Sequence, residues 1–287
     1  MKIKNINIHS KVEEGLFHLA IGNFDGVHLG HQQIISTLVK VANEQNKLPA
    51  ILSFNPHPKQ FFSKQLNFYQ ILSEEKKQSI FKRLGIKHYF SLNFDETIAE
   101  LSPSDFVSEI IVKKLKVEKL IVGYDFHFGK KRKGNTALLL NYAKIFGFTI
   151  DIIQPIYEKK SNEIFSSTII REAIRNGDME KAKTIMGRFW SMSGEVLSGD
   201  KKAREMNFPT ANILPHKQIH PQKGVYVVKV KFNGKYINGI ANFGDRPTVD
   251  GNRLLLEVHL FDFNQDIYGN YLTVEFLTFI RGEKKFD

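Results

Sequence analysis

Two histidines three residues apart, His28 and His31, share the ten-residue stretch GNFDGVHLGH (22–31) with three glycines and one aspartate. Imidazoles at that spacing can bind a metal, exchange a proton or donate to phosphate oxygens. A metal needs a third ligand, and although His57 and His127 are available, no spacing points to either. Phosphate is the ligand that the neighbouring residues also suit. Gly22, Gly26 and Gly30 let backbone come close to a bound group, and a helix starting at the end of the stretch offers free N–H groups and a positive dipole end. The alternative is structural: both histidines cap and pack a turn.

Three further groups carry possible chemistry. Arg171 follows three hydroxyl residues, Ser166 to Thr168, in SSTIIR, and is either a second phosphate clamp or a surface helix arginine. A kinase or an adenylyltransferase would need such charge on a phosphoryl group in flight; no GxxxxGK[ST] sequence occurs, so P-loop ATP hydrolysis is disfavoured. Thr210 and Asn212 stand two apart in NFPTANI, on one side of an extended chain, as hard oxygen ligands for Mg²⁺ against phosphates or as ordinary turn residues. Glu257 lies within the apolar run LLLEVHLFDF. It reads as a general base or as the solvent-side residue of an alternating strand.

The elements that would position these groups form two patterns. From residue 16 to about 153, short apolar runs at Phe17 to Ile21, Pro49 to Phe54, His88 to Leu92, Lys119 to Gly123 and Thr149 to Ile153 alternate with helix signals. Ser73 with Glu74 and Glu75 starts one helix that Gly85 ends, Ser102-Pro103 starts another, and a third runs from Asn135 to Gly147. Five strands with helical crossovers predict an α/β fold, a Rossmann-like doubly wound parallel sheet whose ligands bind beyond the strand carboxyl ends. GNFDGVHLGH, SFNPHP (53–58), VGYDFHFGKKRKGN (122–135) and FSSTIIREAI (165–174) all fall at or beyond such ends. Two short helices then lead to Gly187, after which alternation has period two. Asn233-Gly234 predicts a type I′ hairpin, and Arg253 to Phe263 with Tyr271 to Ile280 complete a mostly antiparallel sheet or small barrel. The expected domains are 1–185 and 186–287.

Composition bounds the rest. At 287 residues and 42% hydrophobic content the chain suits two globular domains. No apolar run approaches the roughly 18 to 20 residues that cross a bilayer, and MKIKNINIHS lacks the apolar core of a secretion signal. Absence of cysteine excludes disulfides, thiolate metal sites and a cysteine nucleophile. The expectation is a cytoplasmic protein without a membrane partner. A formal charge of +11 favours anionic partners; apart from Lys130 to Lys133 the basic residues are scattered, which favours phosphorylated small molecules over nucleic acid.

Five motifs in order, GNFDGVHLGH, SFNPHP, VGYDFHFG, SSTIIREAI and NFPTAN, resemble the prokaryotic bifunctional riboflavin kinase/FAD synthetase family over nearly the whole chain. The resemblance implies an N-terminal nucleotidyltransferase domain that adenylylates FMN and a C-terminal β-barrel riboflavin kinase. It makes His28 and His31 the histidines of an HxGH signature that stabilises α-phosphoryl transfer. Gly22, Asn23, Phe24, Asp25, Gly30, Ser166 and Thr168 become nucleotide contacts, and SSTIIR with Arg171 closes over the nucleotide. Asn55 and His57, with Asp125, Phe126 and Phe128 of the DFxFG loop, become flavin contacts. Thr210 and Asn212 match the PTAN motif that binds metal and nucleotide, and Glu257 matches the kinase base. Mg²⁺ with ATP, and riboflavin, FMN and FAD as substrates or products, follow from the same resemblance; oligomeric state does not. Two features depart from the family: Ala203 and Asn207 stand where glycine is usual, and the chain stops at Asp287 where a C-terminal helix usually follows. These leave a monofunctional FAD synthetase with a degenerate kinase domain as the alternative enzyme. A flavin- or nucleic-acid-binding regulator, using Lys130 to Lys133 on RNA, is the non-enzymatic one.

Overall fold

The computed structural model describes residues 1–12, 15–63, 69–158, 162–197, 210–215, 218–248, 251–265 and 267–283. Contacts gather the chain into two compact units, Met1–Phe68 with Glu74–Phe165, and Tyr69–Ser73 with Ser166–Asp287.

The first unit alternates strand and helix. In chain order it comprises β1 (Lys2–Ile6), β2 (Phe17–Ile21), α1 (Leu29–Glu44), β3 (Leu48–Asn55), α2 (Pro58–Phe62), α3 (Glu74–Arg83), β4 (His88–Asn93), α4 (Glu96–Glu100), α5 (Pro103–Asp105), β5 (Lys119–Gly123), α6 (Thr136–Phe146) and β6 (Thr149–Ile153). The strands form one parallel sheet in the order β1-β4-β3-β2-β5-β6. All five residues of β2 are buried, as expected of a central strand covered on both faces. From β2 the chain proceeds through β3 and β4 on one side and returns to β5 and β6 on the other. The carboxyl ends of β2 and β5 therefore flank the topological switch point, where open α/β sheets bind ligands.

Local chemistry sets the helix ends. Asn135 caps α6 by accepting from Leu138 N at 2.9 Å, and Gly147 ends it at φ 78°. Ser102 caps α5, but the expected helix continues in π-helical form over Phe106–Lys114, burying Phe106, Val107, Ile110 and Ile111. The sheet also has a sixth strand beyond the five expected, since β1 pairs in parallel with β4. Only Ile6 of β1 is buried, so this edge strand lacks the apolar run that marks its neighbours.

The second unit holds α7 (Ser167–Arg175), α8 (Met179–Met186) and strands β7 (Trp190–Leu197), β8 (Thr210–Ile213), β9 (Gly224–Phe232), β10 (Lys235–Thr248), β11 (Gly251–Leu260) and β12 (Tyr271–Arg281). The six strands close an antiparallel barrel in the order β10-β11-β8-β7-β12-β9. Its interior is filled by Met192, Ala211, Ile213, Tyr226, Val228, Phe243, Leu256, Val258, Val274 and Phe276, all buried. Asn233 at φ 47° and Gly234 at φ 79° join β9 to β10, the double positive φ of a type I′ turn. The segment 69–73 is stitched to this unit: Trp190 Nε1 donates to Ile71 O at 2.8 Å, and Ile219 N to Gln70 O at 2.8 Å.

Candidate active sites

The turn after β2 is shaped by backbone. Gly22 N donates to Leu52 O at 3.1 Å, extending the strand. Phe24 (φ 49°), Gly26 (φ 80°) and Val27 (φ 38°) then adopt left-handed conformations, which are unfavourable for a β-branched residue such as valine. Val27 is wholly buried, and its carbonyl accepts from Gln32 Nε2 at 2.9 Å. The result places His28 as the N-cap of α1, outside the helix. Its Nδ1 accepts from His31 N at 3.4 Å, which puts the proton of the neutral ring on Nε2. The rings of His28 and His31 stack with centroids 3.6 Å apart. Gly30 makes room for them: a Cβ there would lie 3.1 Å from His28 Cε1 and Nδ1.

The rest of the turn divides between support and exposed function. Phe24 is buried, its ring edge-on to His31 at 5.3 Å and to Phe81 at 5.8 Å, so its side chain backs the histidine. Asp25 is also buried. Asn23 Oδ1 is buried without a hydrogen-bond partner among the described residues. The chain after β5 lies beside it in the sheet. Asp125 is exposed, while Phe126 stacks on Phe128 at 5.6 Å and Phe128 packs on Phe106 at 5.9 Å. Gly134 lets the loop close on that ring, since a Cβ there would fall 2.8 Å from Phe128, and Gly129 lies against the start of α5, where a Cβ would fall 2.7 Å from Pro103 N.

At the end of β3, Asn55 is exposed and His57 is the N-cap of α2, its Nδ1 accepting from Lys59 N at 3.1 Å. Here the structure adds residues that sequence patterns did not single out. Phe61 and Phe62 remain 39% and 64% exposed and lie edge-on to Phe94, at 5.3 and 5.8 Å. Exposed aromatic rings at a ligand edge suit a planar ring system. Two adjacent phenylalanines after a proline were the available signal, hidden because α2 is too short to show a period.

In the second unit Ser166 caps α7, accepting from Ile169 N at 3.3 Å, and Thr168 is exposed. Arg171 Nη1 donates to Tyr69 O at 2.7 Å. On the barrel, Ala211 and Ile213 point inward, so Thr210 and Asn212 share the outer face of β8. Glu257 does the same between buried Leu256 and Val258 on β11. Register aligns Asn212 with Glu257, and Glu257 with Asn242 of β10, making a polar row across three strands. Asn212 Oδ1 is buried and has no hydrogen-bond partner among the described residues. Glu257 Oε2 forms an ion pair with Arg246 Nη2, and that hydrogen bond is the main cause raising the Arg246 pKa above its usual value. Arg246 and Asn242 escaped sequence reasoning, because partners eleven and fifteen residues away are set by hairpin register. Ala203 and Asn207 lie outside the described residues.

Comparison with known proteins matches the two parts of the chain to two family models. A model of the FAD synthetase family matches residues 11–206, and a riboflavin kinase model matches residues 186–287. A bifunctional riboflavin kinase/FMN adenylyltransferase of Haemophilus influenzae is 40% identical over 99% of this chain and 92% of its own. Proteins of the same name from Escherichia coli and Bacillus subtilis are each 36% identical, over 98% and 96% of this chain and 89% and 88% of theirs. A crystal structure described as a macrolide-efflux protein from Streptococcus pneumoniae superposes with a TM-score of 0.89 at 30% identity, covering 100% of this chain and 93% of that one. With both halves matched and relatives aligned almost end to end, the chain belongs to the bifunctional riboflavin kinase/FMN adenylyltransferase family.

Proposed function

We propose that the chain makes FAD from riboflavin in two ATP-dependent steps, phosphorylation to FMN in residues 186–287 and adenylylation of FMN in residues 1–185. The observation that carries the adenylylation reading is the stacked pair His28 and His31 at the start of a 16-residue helix on the sheet's switch point. An FMN phosphate oxygen attacks the α-phosphorus of ATP, and the bond to the departing pyrophosphate breaks. Two anions meet, so the site must supply positive charge and donors rather than a strong base. The attacking phosphate is itself largely ionised near neutral pH, with a second pKa of about 6. His28 Nε2–H, His31 and the first N–H groups of α1 supply the donors. Gly22, Gly30, Asp25, Asn23 Oδ1 and the Phe24 backbone line the nucleotide. Asn55, His57, Asp125, Phe126 and Phe128, joined by Phe61, Phe62 and Phe94, take the flavin.

For phosphorylation, Glu257 accepts the proton of a riboflavin hydroxyl as its oxygen attacks the γ-phosphorus of ATP. Thr210 and Asn212 fit Mg²⁺: both offer hard oxygens on one face, and the buried Asn212 Oδ1 lacks another partner among the described residues. Bound there, the ion screens the nucleotide's phosphate charge. The match of the riboflavin kinase model to residues 186–287 favours this bifunctional reading over a monofunctional one. Among the described residues no helix is long and apolar enough to cross a membrane. The proposed location is the cytoplasm. The test is incubation of the pure protein with Mg-ATP and either riboflavin or FMN, with chromatography of the flavins. FMN and then FAD are expected from riboflavin, and FAD with pyrophosphate from FMN; ligand binding without turnover would favour the regulator.

A further inference from the structure

The guanidinium of Arg246 stands at the centre of a small ionic cluster on the outer face of the barrel. Its Nη2 is paired with Glu257 Oε2, and its Nη1 lies 3.9 Å from Glu283 Oε1. Asn242 completes the cluster: turned so that its nitrogen donates to Gly224 O at 3.2 Å, its amide oxygen accepts from the same Nη2. Glu283 owes its place to Gly244. A Cβ at residue 244 would fall 1.8 Å from Glu283 Oε1, so a larger residue would push that carboxylate from its present place. The cluster thus joins β10, β11 and the residues after β12 through one planar fork. Side-chain exposures of 35% for Arg246 and 26% for Glu257 leave the pair only partly screened by solvent.

We propose that Arg246 is the positioning residue of the kinase half: it holds Glu257 by Oε2, leaving Oε1 to take the proton of the riboflavin hydroxyl, and Glu283 seated on Gly244 is its mount. This rests on the reading of Glu257 as base. In the step itself the hydroxyl O–H bond breaks and its proton passes to Glu257 Oε1. The oxygen forms a bond to the γ-phosphorus, and the bond from that phosphorus to the β-phosphate oxygen breaks, its electron pair leaving with ADP. A loose phosphoryl-transfer transition state asks little basicity of the acceptor. It asks for placement, because a base must stand about 3 Å from the proton it removes. A glutamate on the outside of a barrel has three rotatable bonds to spread it over rotamers. The rigid fork of an arginine, with a second carboxylate to anchor it, removes that freedom; a lysine, being a point charge, would hold one carboxylate only.

The test uses the full chain and steady-state riboflavin phosphorylation with both substrates varied. Arg246→Ala is expected to lower kcat at least about tenfold while moving KM for riboflavin and ATP by less than about threefold, with Arg246→Lys recovering part of the loss. Glu283→Gln is expected to lower kcat less, and only while Arg246 is present. The double variant R246A/E257Q should be no slower than E257Q alone, as for residues acting through one group. A raised KM for ATP with unchanged kcat in Arg246→Ala would make the arginine a phosphate ligand and overturn the proposal. So would independent, multiplicative losses in the double variant. If Glu257→Gln keeps full kcat, the reading of Glu257 itself fails, a result separate from the first two. Should Arg246→Ala fail to fold, judged by its thermal melt, Arg246→Lys and Glu283→Gln decide the same question.

Discussion

At the scale of single residues, His28 has two duties that one substitution can separate. It caps α1 through Nδ1, and in the proposed reaction it donates from Nε2. Alanine would remove both. Asparagine is among the best capping residues, so His28→Asn keeps the helix start while deleting the ring. Its melting temperature should stay close to that of the parent, and FAD formation from FMN should fall at least about tenfold, the scale of a lost transition-state donor; unchanged FAD production in a chromatographic assay would end the assignment. The sequence made this residue visible because glycines and histidines crowd one turn. It did not reveal that His28 stands outside the helix, since cap position depends on the φ of Phe24, Gly26 and Val27. Nor did it reveal that Phe24 supports His31 from below, or that Arg246 grips Glu257. Such side-chain meetings are set by tertiary packing, which local spacing does not encode.

At the scale of elements, boundaries were readable where a special residue closes a run. The predicted bounds of β2, β5 and β6 coincide with those observed, and Asn135 and Gly147 bracket α6. The edge strand β1 was not readable, because one buried residue in five makes no apolar pattern. The hairpin Asn233-Gly234 invites a clean measurement: Gly234 has φ 79° and open space where a Cβ would go, so substitution costs backbone strain alone. Gly234→Ala should destabilise the chain by about 1 kcal/mol, seen as a lower melting temperature with kinase activity kept. The segment 69–73 gives a second element-scale prediction through Tyr69, whose ring stacks on His220 at 4.6 Å. Burial, with the Lys223 charge as second cause, lowers the His220 pKa below its usual value. The unfolded chain therefore binds this proton at a higher pH than the folded one does. The stability tied to neutral His220 is complete above about pH 6.5 and declines as pH drops through the window below it. Thermal melts between about pH 7 and pH 5 should show a shallower loss for His220→Gln than for the parent; identical slopes would mean that this ring carries none of the acid sensitivity.

At the scale of the whole molecule, the chain carries two sets of groups suited to two phosphoryl chemistries, one in a parallel α/β sheet and one on a closed antiparallel barrel. The net charge of +11 suits anionic substrates in both. Their chemistry differs in what the protein must provide. An FMN phosphate arrives already ionised, so the proposed part of the histidine turn is to supply donors and charge. A riboflavin hydroxyl arrives protonated, so the barrel must supply a base, and Glu257 is the carboxylate that faces outward beside Asn212. The product of the second set is the substrate of the first, which makes the two separable by feeding. Glu257→Gln should lower FMN formation from riboflavin at least about a hundredfold, and FAD formation from riboflavin with it. Supplied with FMN and Mg-ATP, the same protein should make FAD at the parental rate, because His28, His31 and the turn that holds them belong to the other compact unit. The measurement is a time course of all three flavins by chromatography, run from each starting flavin in parallel. Loss of both reactions in this variant would contradict two independent sites. Loss of neither would remove Glu257 from the chemistry and reopen the search for the base along the polar row of β8, β11 and β10.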